Sequence, residues 1–176
     1  MEPELPRVLN LGCGRKKLPQ ALNTDICAAV SPDLVLDANQ RPWPLPTGWF
    51  REVHAYDVVE HVEDVVSFFE EVHRVCAPEA IVHVTVPHYS CSNAFTDPTH
   101  RHYFGLRSFD YVTGEHQHDH YTPVRFQKLK VELMFHGGLV NRVVRRMAKR
   151  FPQAWEERWA WVFPAWFLFV KLQAVK

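Results

Sequence analysis

The run Val8-Leu9-Asn10-Leu11-Gly12-Cys13-Gly14, followed by Asn23-Thr24-Asp25-Ile26, constrains the fold more than any other part of this chain. An apolar, strand-like segment ends in Gly-x-Gly, and a carboxylate stands at the tip of the next apolar segment. Glycines let the backbone turn sharply and approach a ligand closely, and an acid so placed accepts hydrogen bonds from both ribose hydroxyls. In this order the two features are how a doubly wound α/β sheet holds a nucleoside. A dinucleotide site needs a further glycine three residues on, so that a helix packs on the strand and receives pyrophosphate at its N-terminus. Lys17 stands there instead, and Arg15-Lys16-Lys17-Leu18-Pro19 is too short and broken for an ordinary crossover helix. A core strand ending in a plain glycine turn is the blander alternative.

Later segments repeat the strand-then-loop pattern. Leu34-Val35-Leu36-Asp37 is an apolar run ending in an acid, with Ala38 next. Pro42-Trp43-Pro44-Leu45-Pro46 is a stiff loop, since each proline fixes φ and removes a donor. Glu52 to Tyr56 reads as a strand, and Asp57-Val58-Val59-Glu60-His61-Val62 as the loop at its carboxyl end. Apolar residues at helical spacing (Val62, Val65, Val66, Phe69, Val72, Cys76) predict a helix over Glu63 to Cys76, with Pro78 just beyond it. Ala80 to Pro87 is the next strand. Phe126 to Phe135 and Phe167 to Val175 alternate as two more.

These motifs, in this order, resemble the class I S-adenosylmethionine-dependent methyltransferases, and within them the methyltransferase type 11 group. The likeness is specific over about residues 7–90 and looser beyond. It implies a Rossmann-like α/β fold: a seven-stranded, mainly parallel sheet in the order 3-2-1-4-5-7-6, with a terminal antiparallel hairpin, in a three-layer α/β/α arrangement. It implies S-adenosylmethionine as cofactor, held by Asn10, Gly12, Cys13, Gly14, Asp25, Ile26, Asp37, Ala38, Tyr56, Asp57 and His61. The chain departs from the group twice. Glu79-Ala80 replaces the usual Gly-Gly before the fifth strand, and the first crossover is compressed.

The 176 residues suffice for one domain, 1–176, with a sizeable core. Nearly half are apolar (47%), which excludes disorder. The four cysteines, 13, 27, 76 and 91, form no Cys-x-x-Cys, and no signal or transit pattern opens the sequence; reduced thiols and a cytoplasmic location are expected. Net charge is zero but uneven: residues 1–122 hold 9 Lys/Arg against 17 Asp/Glu, and residues 123–176 hold 11 against 3. Much of the basic charge falls on a predicted amphipathic helix from Leu139. There Val140, Val143, Val144, Met147 and Phe151 form a stripe, with Arg142, Arg145, Arg146, Lys149 and Arg150 opposite. Packing of that stripe on the sheet is the favoured expectation. Peripheral contact with an anionic membrane and a homodimer face, both using the tryptophans at 155, 159, 161 and 166, are the others.

Ligands bind outside the carboxyl ends of strands in such sheets. The long loop after Pro87 is therefore expected to line the acceptor pocket. His88 is the first candidate catalytic base, and His100, oriented by Asp97, the second. The expected reaction is methyl transfer to a small-molecule oxygen, nitrogen or sulfur acceptor. A nucleic-acid acceptor is not expected, because no Asn/Asp-Pro-Pro-Tyr/Phe motif follows the fourth strand. No metal ligand is assigned. Two rival readings stand: a metal-assisted enzyme using the loop Glu115-His116-Gln117-His118-Asp119-His120, and a degenerate nucleoside-binding domain serving as a partner- or membrane-binding module.

Overall fold

A computed structural model of the chain describes residues 5–115 and 119–176. Its strands are β1 (Val8–Leu11), β2 (Leu22–Asp25), β3 (Leu34–Val35), β4 (Phe50–Tyr56), β5 (Cys76–Pro87), β6 (Arg125–Met134) and β7 (Phe167–Val175). Its helices are α1 (Val65–Val75), α2 (Asn93–Thr96), α3 (Asp110–Thr113), α4 (Leu139–Arg150) and α5 (Pro152–Arg158). The strands form one sheet in the order β3-β2-β1-β4-β5-β7-β6. β1 to β5 run parallel, and β7 is antiparallel to both β5 and β6. Strand order and terminal hairpin are those expected.

Alternation along β4, β5 and β7 creates two unlike faces. Val53, Ala55, Val82, Val84, Leu168, Val170 and Leu172 are fully buried. Phe68, Phe69, Val72 and Val75 of α1 join them in the core. α1 starts where Asp64 accepts a hydrogen bond from the Ser67 amide at 3.1 Å, satisfying a donor the first turn would leave free. The proline-rich loop is fastened to this helix. Arg74 donates to the carbonyls of Trp43 and Leu45 (both 3.0 Å), Glu71 accepts from the Trp43 amide (2.9 Å), and Trp43 and Leu45 are buried.

The opposite face is the more open of the two. Glu52, His54 and Tyr56 alternate with the buried residues of β4 and pair in register with Ile81, His83 and Thr85 of β5. None of these six is buried. No helix lies between β1 and β2, where only residues 12–21 connect the strands, and a single 3-10 turn (Ala28–Val30) lies between β2 and β3. A parallel crossover normally takes a dozen or more residues and a helix. Here a buried asparagine pair does the fastening. Asn10 Nδ2 donates to Asn23 Oδ1 (2.9 Å), which also accepts from the Leu18 amide (2.8 Å), while Asn23 Nδ2 donates to the Leu18 and Ala21 carbonyls (both 3.1 Å).

β5 follows α1 without a separate turn. Glu79 adopts a left-handed conformation (φ 62°), taking the place of the usual glycines, where the register against β4 is interrupted. The amphipathic helix is present as α4, but its packing differs from expectation. Only Val144 and Ala148 are buried, whereas Leu139 (76%), Val140 (64%), Val143 (62%), Met147 and Phe151 are exposed. Positions 144 and 148 mark one edge of the stripe, so the rest turns to solvent between that edge and the arginines. Trp155 is buried, and Trp159, Trp161, Val162 and Trp166 are exposed.

Candidate functional site

At the carboxyl ends of β1, β2 and β4 two cavities meet. The smaller, about 300 Å³, is lined by Leu11, Gly12, Asp25, Ile26, Leu36, Asp37, Ala38, Asn39, Asp57, Val58, His61 and Val62. The larger is an open groove of about 810 Å³ whose walls include Asn10, Gly12, Cys13, Gly14, Tyr56, Asp57 and Thr85, with Lys130, Glu132, Arg145 and Phe169 on its far side. Gly12 and Asp57 belong to both. Each residue expected to touch the cofactor lines one or the other: Asp25, Ile26, Asp37, Ala38 and His61 the small cavity, Asn10, Cys13, Gly14 and Tyr56 the groove.

The backbone around this junction is held in place. Gly12 has φ 59°, and a Cβ there would lie 2.4 Å from Val58 Cγ2. Only glycine meets both demands. Asp57 also adopts a left-handed conformation (φ 58°), with its amide on the Thr85 carbonyl (2.9 Å) and its carboxylate accepting from Thr85 Oγ1 (2.8 Å). A non-glycine residue in this region costs about 1–3 kcal/mol and is found mainly where surrounding structure enforces it. Asp25 accepts from the Gly14 amide with one oxygen and the Cys27 amide with the other, each at 2.8 Å. A carboxylate has about four acceptor positions, so two remain for a ligand. The Cys13 amide is spent on the Thr24 carbonyl and the Lys16 amide on Cys13. Three amides of the glycine loop, those of Cys13, Gly14 and Lys16, are thus committed internally, and no helix begins behind it. It lacks the helix terminus that holds pyrophosphate. Burial and the nearby Asp25 hold the Cys13 thiol above its usual pKa, so it packs rather than attacks.

The expected catalytic histidines are placed otherwise than the sequence suggested. His88 is fully buried, with Nδ1 on Ser90 Oγ (2.8 Å) and Nε2 on Glu156 (3.0 Å), beside Tyr89 and Trp155. It lines neither cavity, and its burial among core residues gives it no access to a ligand in either one. Its position one residue past β5 put it near the ligand side by chain order, but its ring points into the packing of α5. The loop from His88 to His102 lines neither cavity either. It folds back on the turn after β4: the Arg101 and His102 amides meet the Glu60 carbonyl (2.8 and 3.3 Å), and His102 Nε2 donates to the Val62 carbonyl (2.9 Å).

That docking brings His100 to His61, ring centroids 4.7 Å apart. Asp97 does not orient His100. It accepts from Thr99 Oγ1 (2.7 Å), which in turn meets His61 Nδ1 (2.9 Å), whereas His100 Nδ1 donates to the Ala94 carbonyl (3.0 Å). Glu60 joins this cluster, 1% exposed, with no hydrogen-bond partner on either carboxylate oxygen. Burial, with lesser repulsion from Asp57 and Asp97, pushes its carboxyl up to about 8. The sequence reading placed Glu60 in the loop after β4 but gave it no role; an acid in an apolar run was the available signal. A second group, Glu52 with His54 and His83, sits on the open face. The two rings stack 4.9 Å apart and both Nε2 atoms pair with Glu52 Oε1 (3.1 and 3.0 Å). Of the histidine-rich loop, residues 116–118 lie outside the described residues, and Glu115 pairs with Lys128 (2.8 Å).

No family model and no curated protein matches the chain. Solved structures do match its fold. An S-adenosylmethionine-dependent methyltransferase from Mesorhizobium loti superposes with TM-score 0.61 at 16% identity, over 97% of this chain and 93% of that one. One from Archaeoglobus fulgidus gives 0.61 at 18%, over 97% and 86%. The cyclase SpnF gives 0.61 at 13%, over 97% and 76%. At such identities the likeness is one of fold: the chain has the class I methyltransferase fold, which also carries cyclase chemistry.

Proposed function

We propose that this protein is an enzyme that transfers the methyl group of S-adenosylmethionine to a small-molecule oxygen, nitrogen or sulfur acceptor. The observation that carries the reading is the junction at Gly12 and Asp57. A small cavity walled by Asp25 meets a larger groove there, and the loop between them leads into no helix whose N-terminus could take phosphate. The residues fit the cofactor. Asp25 retains acceptor capacity for two ribose hydroxyls, and Ile26, Leu36, Ala38 and Val62 offer apolar walls to a base ring. Asn10, Gly14 and Tyr56 border the groove, where the methionine portion belongs. When bound, the cofactor supplies an electrophilic methyl on a sulfonium. The protein's part is alignment: the groove walls hold the acceptor against the junction, and proximity supplies much of the rate.

The degenerate nucleoside-binding module remains the rival. Calorimetry separates the readings. S-adenosylmethionine is expected to bind with one site per chain and NAD not to bind. If neither binds, or NAD binds more tightly, the proposal fails. Incubation with a labelled methyl donor and a metabolite mixture then identifies the acceptor; cofactor binding with no label transfer to any acceptor favours the module.

A further inference from the structure

We propose that Glu60, His61 and His100 form a binding site for one divalent transition-metal ion at the wall of the cofactor cavity. One donor atom from each residue lies within 4.8 Å of the others. Glu60 is buried with both oxygens unpartnered, a costly arrangement for a side chain that needs a proton, a donor or a cation.

The hydrogen bonds around the two imidazoles supply the independent argument. The Ala94 carbonyl can only accept, so His100 Nδ1 carries a proton and Nε2 keeps its lone pair. Thr99 Oγ1 gives its proton to Asp97, so it accepts from His61 Nδ1, and again Nε2 keeps its lone pair. Both rings are thus fixed in the tautomer that ligates through Nε2. A carbonyl or carboxylate acting behind the imidazole is the usual outer shell of a metal-bound histidine. A free lone pair on each imidazole stands near a carboxyl group that no hydrogen bond satisfies, a set a cation could take once the Glu60 proton is displaced. The Glu52, His54 and His83 group is the internal contrast, for there both Nε2 atoms are already spent on the carboxylate.

Two imidazoles and one carboxylate suit zinc or iron(II) rather than magnesium or calcium, which prefer oxygen ligands. His61 lines the cavity, so the ion would stand beside the cofactor with coordination positions left for water or an acceptor oxygen. Resting on the methyl-transfer reading, this deepens it. With His88 buried, a metal held here would lower the pKa of an acceptor hydroxyl, whose proton passes to solvent; the oxygen then forms the O–CH3 bond as the S–CH3 bond breaks and the cofactor leaves as the neutral thioether.

The test uses the full chain, stripped with a chelator and titrated with zinc ion alone. One equivalent is expected to bind. Glu60→Gln and His100→Ala should each weaken binding more than about 100-fold, and Thr99→Val, acting one bond further out, by about 10–100-fold. His54→Gln with His83→Gln should leave it unchanged. Circular dichroism checks each variant's fold; if Glu60→Gln does not fold, the half-exposed His100 decides. The proposal is overturned if wild type binds no zinc, or if binding survives His100→Ala and disappears in the His54/His83 variant. S-adenosylmethionine affinity of the stripped protein is measured in parallel. Cofactor binding without zinc binding removes only the metal site, and zinc binding without cofactor binding removes only the methyl-transfer reading.

Discussion

Asp25 and His88 show how differently two polar residues at strand ends can be used. Asp25 sits at a cavity wall with acceptor capacity left over, although two backbone amides already bind it. Each hydrogen bond to a charged group is worth about 1.5–3 kcal/mol, so Asp25→Ala should weaken S-adenosylmethionine at least about tenfold with the circular dichroism spectrum unchanged. Unaltered affinity in a titration would remove the ribose-binding assignment. His88 is instead a fully buried strut between Ser90 and Glu156. His88→Ala leaves a cavity and removes the bonds to Ser90 and Glu156, whose Oε1 keeps only the Leu106 amide, at a cost of about 2–4 kcal/mol. Thermal unfolding should show a midpoint lower by several degrees, while cofactor affinity of the folded protein stays within about twofold. A variant of undiminished stability that has lost turnover would restore His88 as a base.

Among the elements, α4 is the one whose surroundings leave it incomplete. An apolar arc of Leu139, Val140, Val143, Met147 and Phe151 faces solvent beside Arg142, Arg146 and Arg150, and Trp159 and Trp161 are exposed further along the chain. Contiguous exposed apolar surface with basic neighbours fits a surface that meets anionic lipid. No helix among the described residues is long and apolar enough to cross a membrane, so the contact would be peripheral. Flotation with anionic vesicles at low salt should bring the protein up, and raising salt should release it, because exposed charges are screened beyond about 8 Å at physiological ionic strength. Val143→Asp with Met147→Asp should abolish flotation. Absence of binding at low salt would leave a self-association face as the use of the arc, read by sedimentation.

For the molecule as a whole, one sheet face is sealed by α1 and the other carries ionisable groups. Burial, the largest influence, lowers the pKa of both His54 and His83; His83 further lowers that of His54, Lys171 lowers that of His83, and Glu52 opposes the fall in both. Tyr56 completes the group through His54 Nδ1 (2.8 Å). A histidine with a lowered folded-state pKa takes up its proton more readily when unfolded. Stability is therefore kept above the unfolded value of about 6.5 and lost as pH falls below it. The thermal midpoint should drop on going from about pH 7 to pH 5, and the drop should be smaller with His54→Gln and His83→Gln together. Equal slopes would show that the pair does not govern acid sensitivity.

Much of this molecule is readable in its sequence because the signals are local. Period-two alternation marks β6 and β7, helical spacing marks α1, and the Gly12-x-Gly14 turn with Asp25 marks the cavity, since each expresses a constraint a few residues impose on themselves. The sequence by itself determined the strands, the main helix and the glycine turn, and the family resemblance these motifs carry implied strand order and the residues that line the cavity junction. Only the tertiary structure decided the rest. The partly open face follows from a ten-residue crossover tied by Asn10 and Asn23, whose side chains look in sequence like any polar pair. His88 became a strut because α5, far along the chain, brings Glu156 to it. His100 reached Glu60 and His61 because the loop after β5 folds back on the Glu60 carbonyl. Whether a histidine is a base, a strut or a ligand depends on which partners surround its two nitrogens, and those partners arrive from distant segments.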